Sequence, residues 1–195
     1  MKRRKFMQTG GAALGLAMSG QYSIATGKSN STPNILMIIT DQQHADTIHA
    51  LGCEYIKTPI LDELAQSGTS FRKTYVTHPL CSPSRSSIFS GRMTTETGVV
   101  KNNLAIPVAM PNIGQWFREN SNYETVYAGK WHLPAMHPIP KDGFLILPSG
   151  ISGHGVLGGH STAMACEAYL RTRSVERPFL MVASFLQPHD ICEWL

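Results

Sequence analysis

Four short stretches of the chain carry the side chains best suited to chemistry. They are Asp41-Gln42, Cys81-Ser82-Pro83-Ser84-Arg85, Lys130-Trp131-His132 and Gln187-Pro188-His189. Ser82-Pro83 offers a helix cap followed by a proline at the first helical position, where the missing N–H costs nothing. A helix starting there leaves free N–H groups at its positive end, and Cys81 sits at that end, a place that favours anions. Arg85 lies about one turn further in and can pair with a carboxylate. Asp41 and Gln42 supply a carboxylate and an amide carbonyl, hard oxygen donors of the kind Ca²⁺ takes. His132 is of a residue type that exchanges protons near neutrality, because an unperturbed imidazole has a pKa of about 6.5, and His189 is a second imidazole. Each stretch alone has a duller reading: a buried thiol, a helix-capping aspartate, a solvated Lys-x-His face, a capped loop histidine.

Placement raises these residues above that level. Asn34 to Thr40 is a continuous apolar run ending at Asp41 and predicts a strand buried on both faces. Thr58-Pro59 caps a helix with an Ile60, Leu61, Leu64, Ala65 stripe that stops at Gly68. An extended piece is expected around Phe71 to Val76, then the helix from Ser82-Pro83 to about Ser90 with Gly91 as its stop. Pro111 to Asn120 predicts another helix, and Tyr123 to Ala128 a strand that runs into Gly129-Lys130-Trp131-His132. Residues 138 to 160 read as a long Gly/Pro-rich loop, 163 to 173 as a helix, and 178 to 185 as a strand leading to His189. This order predicts an α/β domain with a mostly parallel sheet flanked by helices. In such folds the ligand site lies along the carboxyl ends of the strands. Asp41, Lys130 with His132, and His189 each follow a predicted strand, so reactive groups from separate segments converge on one edge.

Composition removes several other classes. The chain has 195 residues, 42% hydrophobic and 15% charged, which suits a core-bearing domain and is too polar for stable membrane insertion. Four of its 17 basic residues are Lys2, Arg3, Arg4 and Lys5; without them basic and acidic residues balance at 13 each. The net charge of +4 is therefore local, and no nucleic-acid partner is expected. Cys53, Cys166 and Cys192 show no paired spacing and read as buried thiols. His44, His49, His78, His137, His154 and His160 show no spacing that demands a metal. Residues 1–27 combine the basic start with a short Gly/Ala-rich run, too short to span a bilayer. Arg3-Arg4 followed by Phe6 resembles a twin-arginine signal, which implies the twin-arginine export machinery as a partner and a periplasmic or secreted protein.

Cys81-Ser82-Pro83-Ser84-Arg85 with Ser90-Gly91-Arg92 resembles the sulfatase signature, a Cys followed by x-Pro-x-Arg and a downstream Gly-Arg. Asp41-Gln42, Gly129-Lys130-Trp131-His132 and Pro188-His189 are similar to further blocks of the same family, although Pro134 stands where glycine is usual. The resemblance implies an alkaline-phosphatase-like α/β fold and hydrolysis of sulfate monoesters on a sulfated small molecule or glycan. It implies that a maturation enzyme oxidises Cys81 to formylglycine, whose hydrate attacks sulfur with one hydroxyl and expels sulfate with the other. By the same resemblance Arg85 holds that diol, Lys130 contacts sulfate and the formylglycine oxygen, and His132 is the base. His189 binds sulfate or protonates the leaving oxygen. Asp41 and Gln42, with residue 81 beside them, would ligate Ca²⁺.

The resemblance runs from about Asn34 to His189, and residues 28–195 are expected to be the N-terminal part of a catalytic domain incomplete at its C-terminus. The family's second pair of calcium ligands and second sulfate-contacting lysine fall later than Leu195, so these 195 residues alone are expected to be inactive or poorly folded. Two alternatives stay open: a phosphonate or phosphodiester hydrolase of the same superfamily, which shares C-x-P-x-R, and a truncated, non-catalytic product.

Overall fold

The computed structural model describes residues 32–134, 138–139, 142–149 and 157–189. The proposed signal segment lies outside them, as do His137, His154 and Cys192. Residues from Pro33 onward form the unit described here.

Its centre is a parallel four-stranded sheet. The strands are β1 (Ile35–Asp41), β2 (Glu124–Gly129), β3 (Leu145–Ile146) and β4 (Phe179–Pro188), in the order β1-β4-β2-β3. Among the described residues five α-helices accompany them: α1 (Pro59–Ser67), α2 (Cys81–Ser90), α3 (Thr94–Thr97), α4 (Ile113–Asn120) and α5 (Leu157–Thr172). Two 3₁₀ turns, Ala45–Thr47 and His49–Leu51, follow β1.

The period-2 alternation of β2 and β4 builds a core on each side of the sheet. Tyr127, Leu180 and Val182 face one side, packed with Phe89 of α2 and with Trp131, Leu133 and Phe144. Val126, Ala128, Phe179, Met181 and Ala183 face the other, against Cys166 and Tyr169 of α5. Both faces of these central strands are closed, which is why their sequences are nearly unbroken apolar runs.

β1 departs from expectation. Ile35, Met37 and Ile39 join the first core, but Leu36 and Ile38 are 49% and 53% exposed, so only one face is covered among the described residues. The cause is position. β1 is an edge strand, and α5 packs chiefly over β4 and β2.

Other boundaries differ for local reasons. Residues 71 to 76 form no strand, because no neighbour offers them a ladder, and Phe71, Tyr75 and Val76 are exposed. The expected loop from 138 to 160 contains β3, which pairs with Val126 and Tyr127 of β2. α5 begins at Leu157 rather than Ala163, with Gly159 of its first turn lying against the Gln187 side chain. β4 extends through Pro188, so His189 directly follows its end. α1 forms as read, although Ile60 and Leu64 of its stripe are exposed. Cys53 and Cys166 are buried free thiols.

α2 is the element that matters most for chemistry, and its start is two residues earlier than the Ser82 cap suggests. Leu80 is the cap and Cys81 the first helical residue, with the Ser84 N–H closing the first turn on the Leu80 carbonyl at 3.0 Å. Pro83 is tolerated because N–H groups of the first turn have no partner inside the helix. Gly91, at φ 67°, ends the helix in the left-handed conformation that glycine adopts without steric cost.

Candidate active site

The carboxyl ends of β1, β2 and β4 and the start of α2 meet at one place. β1 delivers Asp41, β2 delivers Lys130 through Gly129, and β4 delivers His189. Gly129 is required at that turn. It has φ 92°, and a Cβ would collide with the Ser184 carbonyl of β4. That same carbonyl accepts the Lys130 N–H at 2.9 Å, so the close approach of two strands fixes where Lys130 leaves the sheet.

The charged groups interlock. Asp41 Oδ2 lies 2.6 Å from Lys130 Nζ and 3.1 Å from Arg85 Nη2. Cys81 Sγ lies 3.6 Å from Lys130 Nζ and 3.9 Å from Asp41 Oδ1. Arg85, buried to 3% exposure, also donates from Nη1 to the Lys130 carbonyl at 2.7 Å and to Ser184 Oγ at 2.9 Å. Tyr127 donates its hydroxyl to that Lys130 carbonyl at 2.5 Å. The guanidinium is thus held in one plane by partners from β1, β4 and the segment after β2. Such a pre-organised fork suits an oxyanion better than a mobile lysine would.

Electrostatics follow from this packing. Burial alone would push the Asp41 carboxyl up, but the Lys130 hydrogen bond, then the Lys130 and Arg85 charges, outweigh it and hold the group below its ordinary value. Asp41 therefore stays ionised. With it, Arg85 and Lys130 leave one net positive charge beside Cys81, a local field that attracts an anion. Burial, then the charges of Lys130 and Arg85, lower the pKa of His132 against the opposing pull of Asp41. His132 is thus neutral near pH 7 and able to accept a proton. Burial pushes Tyr127 up to about 12, which keeps its phenol a donor.

Cys81, Arg85, Lys130, Asp41 and His189 are therefore brought together as the sequence reading places them, and His132 is electrostatically coupled to them. Gln42 is not part of the cluster: it is exposed, with φ 60°, and no hydrogen bond ties it there among the described residues. The helix start is also less open than expected. The Ser82 N–H is spent on Asn102 Oδ1 at 3.0 Å, and Pro83 has no N–H. Sequence reasoning missed Tyr127, Ser184 and Asn102. Ser184, a lone hydroxyl inside the apolar run of β4, was the one signal available. A cavity of about 300 Å³ lies behind Trp131 and Leu133, but none of the cluster residues lines it.

The donor set bears on metals. Ligand atoms of Asp41, Cys81 and His189 lie within 4.8 Å of one another, a mixture of oxygen, sulfur and nitrogen. Ca²⁺ takes six to eight oxygens. Here one carboxylate is engaged by two cations, and Gln42 is exposed. The described residues do not by themselves form a calcium site.

The family model named Sulfatase matches residues 33–193. The chain belongs to the sulfatase family. It is 31% identical over 198 aligned positions to the Delta 4,5-hexuronate-2-O-sulfatase of Bacteroides thetaiotaomicron, covering 93% of this chain and 39% of that protein. Among solved structures, a 2-O GAG sulfatase matches with a TM-score of 0.69 and 30% identity, over 84% of this chain and 36% of that one. The phosphonate monoester hydrolase of Agrobacterium radiobacter shares the fold, with a TM-score of 0.64 and 21% identity over 81% of this chain and 41% of that chain. The chain thus spans about two fifths of the length of the relatives it matches.

Proposed function

We propose that this chain carries the nucleophile-bearing part of a sulfuric ester hydrolase that acts on sulfated carbohydrate after Cys81 is converted to formylglycine. The supporting observation is the contact of Cys81 with both Asp41 and Lys130 at the start of α2. A structural thiol has no need of a cation and a carboxylate against it. The carbohydrate assignment follows the hexuronate 2-O-sulfatase and 2-O GAG sulfatase relatives.

In this reading, conversion supplies a hydrated aldehyde at position 81, a nucleophile that is restored when sulfate leaves. The chain's own residues do the rest. Lys130 and Arg85 offset the negative charge of the sulfuryl group as it is attacked. Pre-placed charges of this kind act strongly where water is excluded. Asp41 holds both cations in place. His132, neutral for the reasons above, takes the proton of the second hydroxyl at position 81. His189, at the end of β4, gives a proton to the departing alcohol oxygen, help typically worth about 10²–10⁴ in rate. Asp41 and residue 81 are the positions through which this chain would contribute to a calcium site, Gln42 joining them only by turning in from its exposed position, and a bound Ca²⁺ would supply further positive charge.

We also assign residues 1–27 as a twin-arginine signal and residues 28–195 to the catalytic domain, exported to the periplasm or beyond. A formylglycine-generating enzyme and the export machinery are then its partners.

Mass spectrometry of the Cys81 peptide, from protein made in its native host, tests the core of the proposal. An aldehyde is expected; an intact thiol in active protein refutes it. Parallel assays of an aryl sulfate and an aryl phosphodiester separate the sulfatase reading from the phosphonate-hydrolase alternative. Faster turnover of the diester overturns the former.

A further inference from the structure

Ser82 follows the candidate nucleophile directly, but its hydroxyl is committed elsewhere. The residue is fully buried. Its Oγ donates to the His132 carbonyl at 2.6 Å and accepts the Asn103 N–H at 3.3 Å. Its own N–H donates to Asn102 Oδ1 at 3.0 Å. One short side chain thus ties the first turn of α2 to two separate segments.

Backbone strain gathers at the same point. Among the described residues, three that are not glycine have positive φ: Gln42 at 60°, Asn103 at 67° and His132 at 61°. Two of these three bond to Ser82. Such conformations are strained for residues other than glycine and persist only where the surroundings over-determine them. For His132 those surroundings are identifiable. Trp131 and Leu133 on either side are anchored in the core at 2% and 5% exposure, and Trp131 Nε1 donates to the Leu133 carbonyl. Ser82 holds the carbonyl between them.

The imidazole lacks the usual second anchor. A functional histidine is commonly oriented by a hydrogen bond at its other ring nitrogen. His132 Nδ1 is buried and has no hydrogen-bond partner among the described residues. The direction of the ring is therefore set from its backbone.

The geometry points to Ser82 as a positioning residue: its hydroxyl fixes the backbone that carries the His132 imidazole, with Asn102 holding Ser82 in register. The inference rests on the reading of His132 as the base. Ser82 touches none of the reacting atoms and acts only through His132. The charged and titratable groups that act on the ring are Lys130, Arg85, Asp41 and His189. Ser82 adds no charge, so a change in the ring's titration on its removal reports geometry and solvent access.

The test compares Ser82→Ala and Ser82→Thr in the protein as its host makes it, with formylglycine content measured in each. Losing one buried hydrogen bond is expected to lower kcat of Ser82→Ala about tenfold, with KM within about twofold. Ser82→Thr, which keeps the hydroxyl, restores kcat. In a His132→Ala background Ser82→Ala costs nothing further. NMR titration of the His132 ring gives a readout that needs neither turnover nor conversion. Its pKa is expected to rise towards the ordinary imidazole value in Ser82→Ala and to stay put in Ser82→Thr. Wild-type kcat and ring titration in Ser82→Ala, an equal loss in Ser82→Thr, or a full effect without His132 would each overturn the inference. Wild-type protein without formylglycine or sulfate release sinks the functional reading instead, and the ring titration then decides the role of Ser82 alone.

Discussion

Replacing Asp41 with asparagine tests the electrostatic logic of the site directly. Asp41 Oδ2 is 2.6 Å from Lys130 Nζ and 3.1 Å from Arg85 Nη2, and the three side chains are 11%, 4% and 4% exposed. At an effective dielectric constant of about 20, these separations correspond to gross attractions of about 6 and about 5 kcal/mol. Most of that offsets the cost of taking three charges out of water, so the gross sum is not the worth of the site. The asparagine variant keeps the shape but leaves two buried cations facing each other uncompensated. Breaking a buried pair in this way typically costs about 3–5 kcal/mol. Urea denaturation of both proteins at pH 7 should show that loss as a lower midpoint with an unchanged slope. The pH dependence adds a second check. The folded-state pKa of Asp41 lies below its unfolded value of 3.8. Its contribution is therefore fully present above the unfolded value and is lost as pH falls through the folded one. Below that range the two proteins should converge in stability. A loss under about 1 kcal/mol at pH 7, or no convergence in acid, would refute the claim that Asp41 is the counter-charge that holds the cluster.

Three further outcomes follow from the same geometry. If His132 is the base, activity should fall on the acid side with a midpoint below the ordinary 6.5, because burial, Lys130 and Arg85 lower its pKa; a pH–rate profile with that limb above 6.5 contradicts this. Gly129→Ala should destabilise the fold by about 3 kcal/mol or more, since it combines positive φ with a collision against the Ser184 carbonyl; a thermal melt unchanged from wild type shows that β2 and β4 part easily there. Ser184→Ala removes one acceptor of the buried Arg85 guanidinium and should cost about 1–3 kcal/mol, read by the same urea titration; a neutral result means the Lys130 carbonyl alone suffices for Nη1.

Local pattern was enough for much of this molecule. The apolar runs before Asp41, Lys130 and His189 read as strands, and parallel strands bring the residues that follow them to one edge. Cys81-Ser82-Pro83-Ser84-Arg85 announced a helix start with a thiol at its positive end, because proline and a following arginine have local consequences. Decisions between distant segments were not legible. That β1 lies at the edge with Leu36 and Ile38 exposed depends on strand order, which no single segment encodes. That β3 forms from two residues of a Gly/Pro-rich stretch depends on β2 lying beside it. Ser82 looked like a cap in sequence, since capping is the local use of a serine before proline. In the fold its hydroxyl reaches a carbonyl fifty residues away. The sequence by itself determined which side chains could do chemistry and that they would share a sheet edge. Only the tertiary structure decided that Asp41 neutralises Lys130 and Arg85 together, and that Ser82, Tyr127 and Ser184 hold the surrounding backbone, because hydrogen bonds between remote segments exist only once the sheet has set their separation.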